Sequence, residues 1–291
     1  MNVFITGATG FIGRKLVEFI EKDNRFGDIY CLSRKEIDFA SDINIIHGSL
    51  DNLDNLAPIN ADVCLHLAAI TDSSASDKKD IFKTNAEGTA RVVEFCKRSN
   101  IPRIVFLSST NVYLKNKYAY ALSKIQAEDY IKKSGLNYSI LRCALVYGVG
   151  CPSFDKIIDF ADHIHMIPVL GTGKSYKQPI FIDDVCRELI KHTFSAGEKT
   201  VCDLYGTTRI TYNEMVRTIL EVNRKRAVLL HLPIKPFKYV SEFCYKFSIP
   251  FPVYPEQISH MCEDTCSKTE PESSASDDFF TTYTDMLYKN N

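Results

Sequence analysis

Three glycines at positions 7, 10 and 13 stand directly after a short apolar run, residues 2–6, and open a segment with helical spacing. In that segment Ile12, Leu16, Val17, Phe19 and Ile20 recur every three or four residues. A glycine turn between a first strand and a first helix leaves few folds open. Gly7 suits the tight turn out of the strand, and Gly10 lets the backbone approach a pyrophosphate. Gly13 lets the helix pack close to the sheet. The N–H groups at the start of the helix then face an anion. Thr9, Phe11 and Ile12 complete the turn and count with the glycines as candidate dinucleotide-binding residues.

The rhythm continues along the first half of the chain. Apolar runs at 28–33, 44–47, 63–69, 103–108 and 137–141 read as strands, and the spacing predicts helices over 86–99 and 119–133. Strands apolar on both faces that alternate with helices mean a parallel sheet covered on both sides. The expected class is α/β, a doubly wound parallel sheet of Rossmann-like type. From about residue 148 the rhythm loosens and prolines cluster. This predicts a dinucleotide-binding domain over 1–150, rejoined by a segment at about 178–205, and a smaller C-terminal substrate lobe occupying most of 151–291. Late strands are expected near 180–182 and 201–205, and a solvated loop over 264–278.

The choice of dinucleotide turns on the end of the second strand. A carboxylate there would accept a bond from the ribose 2′-OH of NAD. Here the strand ends Cys31-Leu32-Ser33-Arg34-Lys35, with two cations and no carboxylate. Arg14, one residue past the last glycine, is a further candidate for the same pocket. Arginine pairs well with phosphate, so Ser33 and Arg34 point to NADP(H), with NAD(H) as the alternative.

Two Tyr-x-x-x-Lys pairs occur, Tyr113/Lys117 and Tyr120/Lys124. Spacing alone does not separate them; context does. Tyr120 and Lys124 open a helix, where residues i and i+4 share a face. Tyr113 closes a strand exit. A free phenol is a poor base at neutral pH, and a neighbouring ammonium makes it a better one. Tyr120 is therefore the expected acid/base and Lys124 its partner. Ser109, at the tip of the fifth strand, is the expected anchor for a carbonyl oxygen, with Ser108 and Thr110 as substitutes.

The chain resembles the extended short-chain dehydrogenase/reductase family, which includes NAD-dependent nucleotide-sugar epimerases and dehydratases. The resemblance rests on TGATGFIG at 6–13, His66-Leu67-Ala68-Ala69, Asn85-Ala86-Glu87-Gly88-Thr89, Ser108-Ser109, Tyr120 with Lys124, Leu141-Arg142, Val146-Tyr147-Gly148 and Phe181-Ile182-Asp183-Asp184-Val185. It implies hydride transfer at a carbinol or carbonyl carbon, with a nucleotide sugar as the leading substrate. It adds Leu67, Ala68, Ala69 and Asn85 to the cofactor-site residues and gives Lys124 a second task, holding the ribose. It also implies a homodimer. Lys174, Lys177 and Arg209 are candidates for meeting a sugar's diphosphate.

Two other readings stay open. One is a reductase of a small ketone or steroid-like carbonyl, for which the aromatic residues Phe243, Tyr245, Phe247, Phe251 and Tyr254 would form core or the wall of an apolar pocket. The other is a subunit that binds NADPH without turnover. It is suggested by the run Gly171-Thr172-Gly173-Lys174 to Gln178-Pro179, which looks closer to the family's atypical branch.

Composition narrows the partners. Of 291 residues 45% are hydrophobic and 24% charged, enough apolar side chain to exclude a chain disordered throughout. A net charge of -1 gives no electrostatic reason to expect nucleic acid or an anionic membrane. No stretch reads as a leader or a spanning helix, so a cytoplasmic location is expected. The 10 cysteines are scattered, several within apolar runs, and read as buried thiols. His260, Cys262 and Cys266 lack the paired spacing of a zinc site, so no metal is expected.

Overall fold

The computed structural model describes residues 1–35, 43–71, 78–195, 197, 199–247, 249, 253–267, 279 and 283–285. The first half of the chain runs β1 (Val3–Thr6), α1 (Phe11–Glu21), β2 (Ile29–Ser33), β3 (Asn44–His47), β4 (Val63–His66), α2 (Lys78–Phe82), α3 (Gly88–Arg98), β5 (Arg103–Ser109), α4 (Ala119–Lys133) and β6 (Asn137–Cys143). There follow β7 (Val146–Tyr147), α5 (Pro152–His163), β8 (Met166–Leu170), β9 (Tyr176–Lys177), β10 (Ile180–Phe181) and α6 (Ile182–Thr193). The last part holds β11 (Thr200–Leu204), β12 (Ile210–Thr211), α7 (Tyr212–Val222), β13 (Val228–Leu232), α8 (Ile234–Lys246) and α9 (Pro255–Cys262).

The chain divides into two compact units. The first comprises Met1–Val112, Ala119–Arg142 and Val185–Cys202. Its sheet has seven strands in the order β11-β6-β5-β4-β1-β2-β3, and the pairs from β5 to β3 are parallel. This is the doubly wound α/β architecture expected from the alternation of strands and helices. Strand order reverses between β1 and β4, so loops leaving these two strands open a crevice at their carboxyl ends. The register brings Thr6 level with His66, so both loops start at one height.

Burial explains why the strands read as continuous apolar runs. Every residue of β1 and of β4 is buried. On one face Phe4, Cys64, Ile104 and Phe106 pack with Val92, Phe95 and Cys96 of α3 and with Ala127 and Ile131 of α4. Helix α1 buries Gly13, Leu16, Val17 and Ile20, the stripe its spacing predicts.

The second unit comprises Tyr113–Tyr118, Cys143–Asp184 and Asp203–Asn291. It holds three two-stranded pairings, β10 with β7, β12 with β9 and β13 with β8. The late strand expected at 180–182 is only two residues long and pairs with Val146 and Tyr147, because Ile182 already begins α6. Helix α7 starts with a reciprocal cap: Thr211 Oγ1 accepts from the Glu214 N–H and the Glu214 carboxylate accepts from the Thr211 N–H. A small core of Ala161, Ile167, Val216 and Leu220 lies beneath it. Most of the loop expected over 264–278 lies outside the described residues.

Phe95 is buried and its ring centroid lies 5.0 Å from that of Phe4. Phe95→Ala should cost about 3–5 kcal/mol, as truncation of a core aromatic does. Phe247→Ala, at an exposed position, should shift stability by no more than about 0.5 kcal/mol. Urea denaturation of both variants against the parent protein checks the contrast.

Candidate active site

The glycine turn leaves β1 as the spacing predicts. Gly7 has φ of 81°, a left-handed conformation that favours glycine. A Cβ there would lie 2.6 Å from the Ala68 nitrogen, and one on Gly13 would overlap the Gly7 carbonyl oxygen. The Gly10 N–H donates to the Gly7 oxygen at 3.0 Å. Helix α1 begins at Gly10 with no side-chain cap and no acidic residue in its first turn. A close-approach backbone and an uncapped, acid-free helix start fit the pyrophosphate of a dinucleotide. Thr9 and Gly10 are exposed, and Phe11 and Ile12 are half-buried. The Arg14 Nε donates to the Thr9 oxygen at 3.1 Å, which fastens this side chain across the turn.

At the end of β2, the Ser33 hydroxyl donates to the Lys35 oxygen at 2.7 Å and accepts from the Lys35 N–H at 3.1 Å. Ser33 thus builds the turn, and leaves Arg34 and Lys35 exposed on it.

The loop after β4 carries Leu67, Ala68 and Ala69. Its backbone is held to β1: the Leu67 N–H donates to the Thr6 oxygen at 3.0 Å. Asn85 sits in a π-helical turn, Lys83–Glu87, between α2 and α3. Its amide oxygen accepts from the Ile70 N–H, and its NH2 donates to the Ile70 oxygen and to Ser123 Oγ, all within 2.8–3.0 Å. Asn85 is buried and clamps this loop to α4. That makes it a positioning residue for the loop.

A buried polar chain runs alongside. Thr89 Oγ1 donates to the Asn85 oxygen at 2.5 Å, so it accepts from His66 Nε2 at 2.8 Å. The Ala68 N–H donates to Thr6 Oγ1 at 3.4 Å, and Thr6 in turn donates to His66 Nδ1 at 2.6 Å. These bonds select the tautomer with its proton on Nε2. Burial, with the nearby Lys124, pushes the His66 pKa down to about 3, so the ring stays neutral.

The structure separates the two Tyr-x-x-x-Lys pairs. Tyr113 lies in a short 3-10 turn, is 51% exposed, and donates to Asp203 at 3.0 Å. Lys117 donates to the Leu114 oxygen at 2.8 Å. Tyr120 is half-buried in the first turn of α4, and Lys124 lies one turn on, 3% exposed. Lys124 Nζ donates to the Leu107 oxygen at 2.9 Å and lies 4.7 Å from the Phe106 ring centroid and 6.0 Å from that of Tyr120. Burial lowers its pKa to about 7, against the pull of the Glu128 carboxylate. Ser109 is half-buried, and its Oγ accepts from the Asn111 N–H at 3.2 Å. Ser108 cannot take its place, because its hydroxyl is bonded to Glu128 at 2.8 Å.

Residues 3–194 match the sequence model of the NAD dependent epimerase/dehydratase family. The chain belongs to that family. Among curated proteins it is similar to the N-acetyl-alpha-D-glucosaminyl-diphospho-ditrans,octacis-undecaprenol 4-epimerase of Escherichia coli O157:H7, with 24% identity over 84% of this chain and 78% of the relative. It is also similar to the dTDP-glucose 4,6-dehydratase of Streptomyces niveus, with 25% identity over 82% of this chain and 84% of the relative. Its fold is similar to that of MoeE5, solved in complex with UDP-glucuronic acid and NAD. The TM-score is 0.71 with 22% identity, covering 80% of this chain and 86% of that one.

In this epimerase/dehydratase-family chain, Glu128, one turn past Lys124, anchors a network that motif reading did not assign. Glu128 is 2% exposed. It accepts from Ser108, from Arg142 at 2.8 and 2.6 Å, and from Lys132 at 3.0 Å. Burial pushes its carboxyl pKa up, but bonds from Arg142, Ser108 and Lys132 outweigh this and hold it below the usual range. The one sequence signal was that Glu128 stands four residues after Lys124 on the same helix. In the second unit, Lys177 is not open to a diphosphate: it is buried, and its Nζ donates to the His260 and Glu263 oxygens. Arg209 donates to the Ser267 oxygen at 2.5 Å, and Lys174 is exposed.

Arg142→Met should destabilise the protein by about 3–5 kcal/mol at pH 7, since it leaves a buried carboxylate short of its main partner. The sign with pH follows from the depressed Glu128 pKa. Its stabilisation is present above the unfolded value of 4.5 and is lost as pH falls through the folded value. The gap between parent and variant should therefore narrow below pH 4, as read by denaturant melts across pH.

Proposed function

We propose that the protein is an NADP(H)-using enzyme that oxidises and re-reduces a carbinol carbon of a nucleotide sugar, as an epimerase does. The observation that carries this is Tyr120 one helical turn before a buried, backbone-anchored Lys124, in the unit that also carries the glycine cradle. The named relatives support the substrate class. Their names share a sugar joined to a diphosphate: an undecaprenol-linked sugar, dTDP-glucose and UDP-glucuronic acid.

Each residue has a task in this reading. Gly7, Gly10 and Gly13, with the N–H groups of Phe11 and Ile12, hold the pyrophosphate. Leu67, Ala68 and Ala69 form the wall beside it, positioned by Asn85. Ser109 Oγ donates to the substrate oxygen and orients it. Tyr120 Oη takes the proton from the substrate hydroxyl and returns it at the end of the cycle. Lys124, as an ammonium, favours the Tyr120 phenolate and holds the ribose. Bound NADP supplies the hydride acceptor. The first unit is the dinucleotide domain and the second the substrate lobe.

Tyr120→Phe should lower kcat about 100- to 10,000-fold, the usual worth of a positioned acid/base, and leave dinucleotide affinity unchanged. A steady-state assay over UDP- and dTDP-sugars, paired with dinucleotide titration, reads both. Turnover that survives the substitution overturns the mechanism. Dinucleotide binding with no turnover on any sugar points instead to a binding subunit.

The preference for NADP(H) rests on Ser33, Arg34 and Lys35 at the end of β2, which offer two cations and, among the described residues there, no carboxylate to accept from a ribose 2′-OH. Calorimetric titration should show NADPH binding at least about tenfold tighter than NADH, the worth of one charge-assisted phosphate contact. Arg34→Ala should remove most of that preference. Tighter NADH binding by the parent protein would refute it.

A further inference from the structure

Three aromatic residues at α8 are turned to solvent, while Tyr245 is half-buried against Tyr118. Tyr239 is 70% exposed, Phe243 58% and Phe247, just past the helix end, 57%. This overturns the expectation that Phe243 and Phe247 fill a core or wall a pocket; Phe251 lies outside the described residues. The opposite side of α8 is fastened down. Ser241 and Cys244 are buried, Ser241 Oγ donates to the Val253 oxygen at 2.6 Å, and the Tyr118 hydroxyl donates to Glu242 at 3.0 Å. The helix is therefore held in place, with its outer face turned to solvent.

That outer face has an order. At about 100° per residue, Tyr239, Phe243, Phe247 and Val240 fall within one continuous arc of about a quarter turn. Val240 is exposed, as is Ile249 beyond the helix, and the rings of Phe243 and Phe247 lie 4.8 Å apart. Lys235 and Lys246 fall along one edge of the arc. The Lys246 ammonium sits 5.7 Å from the Phe247 centroid. Glu242, the one acid on the helix, is bonded to Tyr118 and lies 3.9 Å from Lys238. The patch is thus aromatic with two lysines along one edge, on a chain whose net charge is -1.

We propose that α8 docks this protein on the surface of an anionic phospholipid bilayer. The chemistry of the arc selects that occupant. Exposed Tyr and Phe rings suit the boundary between headgroups and acyl chains, and lysines along one edge suit anionic headgroups. The attachment is interfacial: no described helix is long and apolar enough to cross a membrane. The near-neutral charge of the whole chain argues only against long-range attraction, not against one basic, aromatic face.

Flotation with two kinds of vesicle tests this. The full-length protein should float with vesicles of phosphatidylcholine and phosphatidylglycerol, and bind pure phosphatidylcholine vesicles at least about tenfold more weakly. Phe243→Ser with Phe247→Ser should reduce binding to the anionic vesicles at least about tenfold. These positions are exposed, so an unchanged melting temperature and circular dichroism spectrum will certify the fold. Lys235→Glu with Lys246→Glu should give a comparable loss that high salt does not restore. No flotation with either vesicle, or flotation untouched by the aromatic pair of substitutions, overturns the proposal. So does sedimentation equilibrium in which the parent is a dimer and the aromatic variant a monomer, since a second copy would then cover the face.

Discussion

A cation buried against its own solvation governs this site. The Lys124 ammonium has lost its water to the floor of α4 and β5, with one backbone carbonyl and an aromatic ring in close company. Burial favours the neutral amine. The Glu128 carboxylate opposes it, and Glu128 is kept ionised by Arg142, Ser108 and Lys132. The charge of Lys124 is therefore set by residues up to two turns further along α4 and on β5 and β6. Strand and helix have to be in register before any of this electrostatic arrangement exists.

Topology brings the rest to the same place. The sheet reverses its order between β1 and β4, and the level register of Thr6 and His66 starts two loops side by side. One is the glycine turn; the other is the Leu67–Ala69 segment, which leaves room for no side chain on Gly7. Asn85 then ties that segment to α4 through Ser123. The loop beside the glycine turn and α4 are thus joined by side-chain bonds within one unit.

Much of this was legible because it rests on local patterns. The turn at Gly7 announces itself by spacing, and α4 covers 119–133 as its pattern indicates. The helical placement of Tyr120 and Lys124, against the turn that holds Tyr113, likewise followed from local context. Other features depend on contacts distant in sequence, which a pattern does not carry. The π-helical turn that aims Asn85 looks like ordinary helix in sequence, and burial of Glu128 depends on Arg142 crossing from β6. The strand at 180–182 shrinks to two residues because the helix dipeptide Asp183-Asp184 lies in the first turn of α6. The aromatic residues of α8 misled because large apolar side chains are read as interior, and nothing local says which face of a helix finds a neighbour.

The string from Ala68 through Thr6, His66 and Thr89 to Asn85 has a direction. Each hydroxyl passes its hydrogen onward, so the imidazole is pinned with one nitrogen giving and the other receiving. Turning the string around would demand that a backbone amide accept and a carbonyl donate, which neither can do. The imidazole is consequently a one-way rivet rather than a relay. Between pH 5 and pH 8, where an ordinary histidine would answer to acid, this one stays silent, and of the two groups only Lys124 on α4 feels acidification in that range.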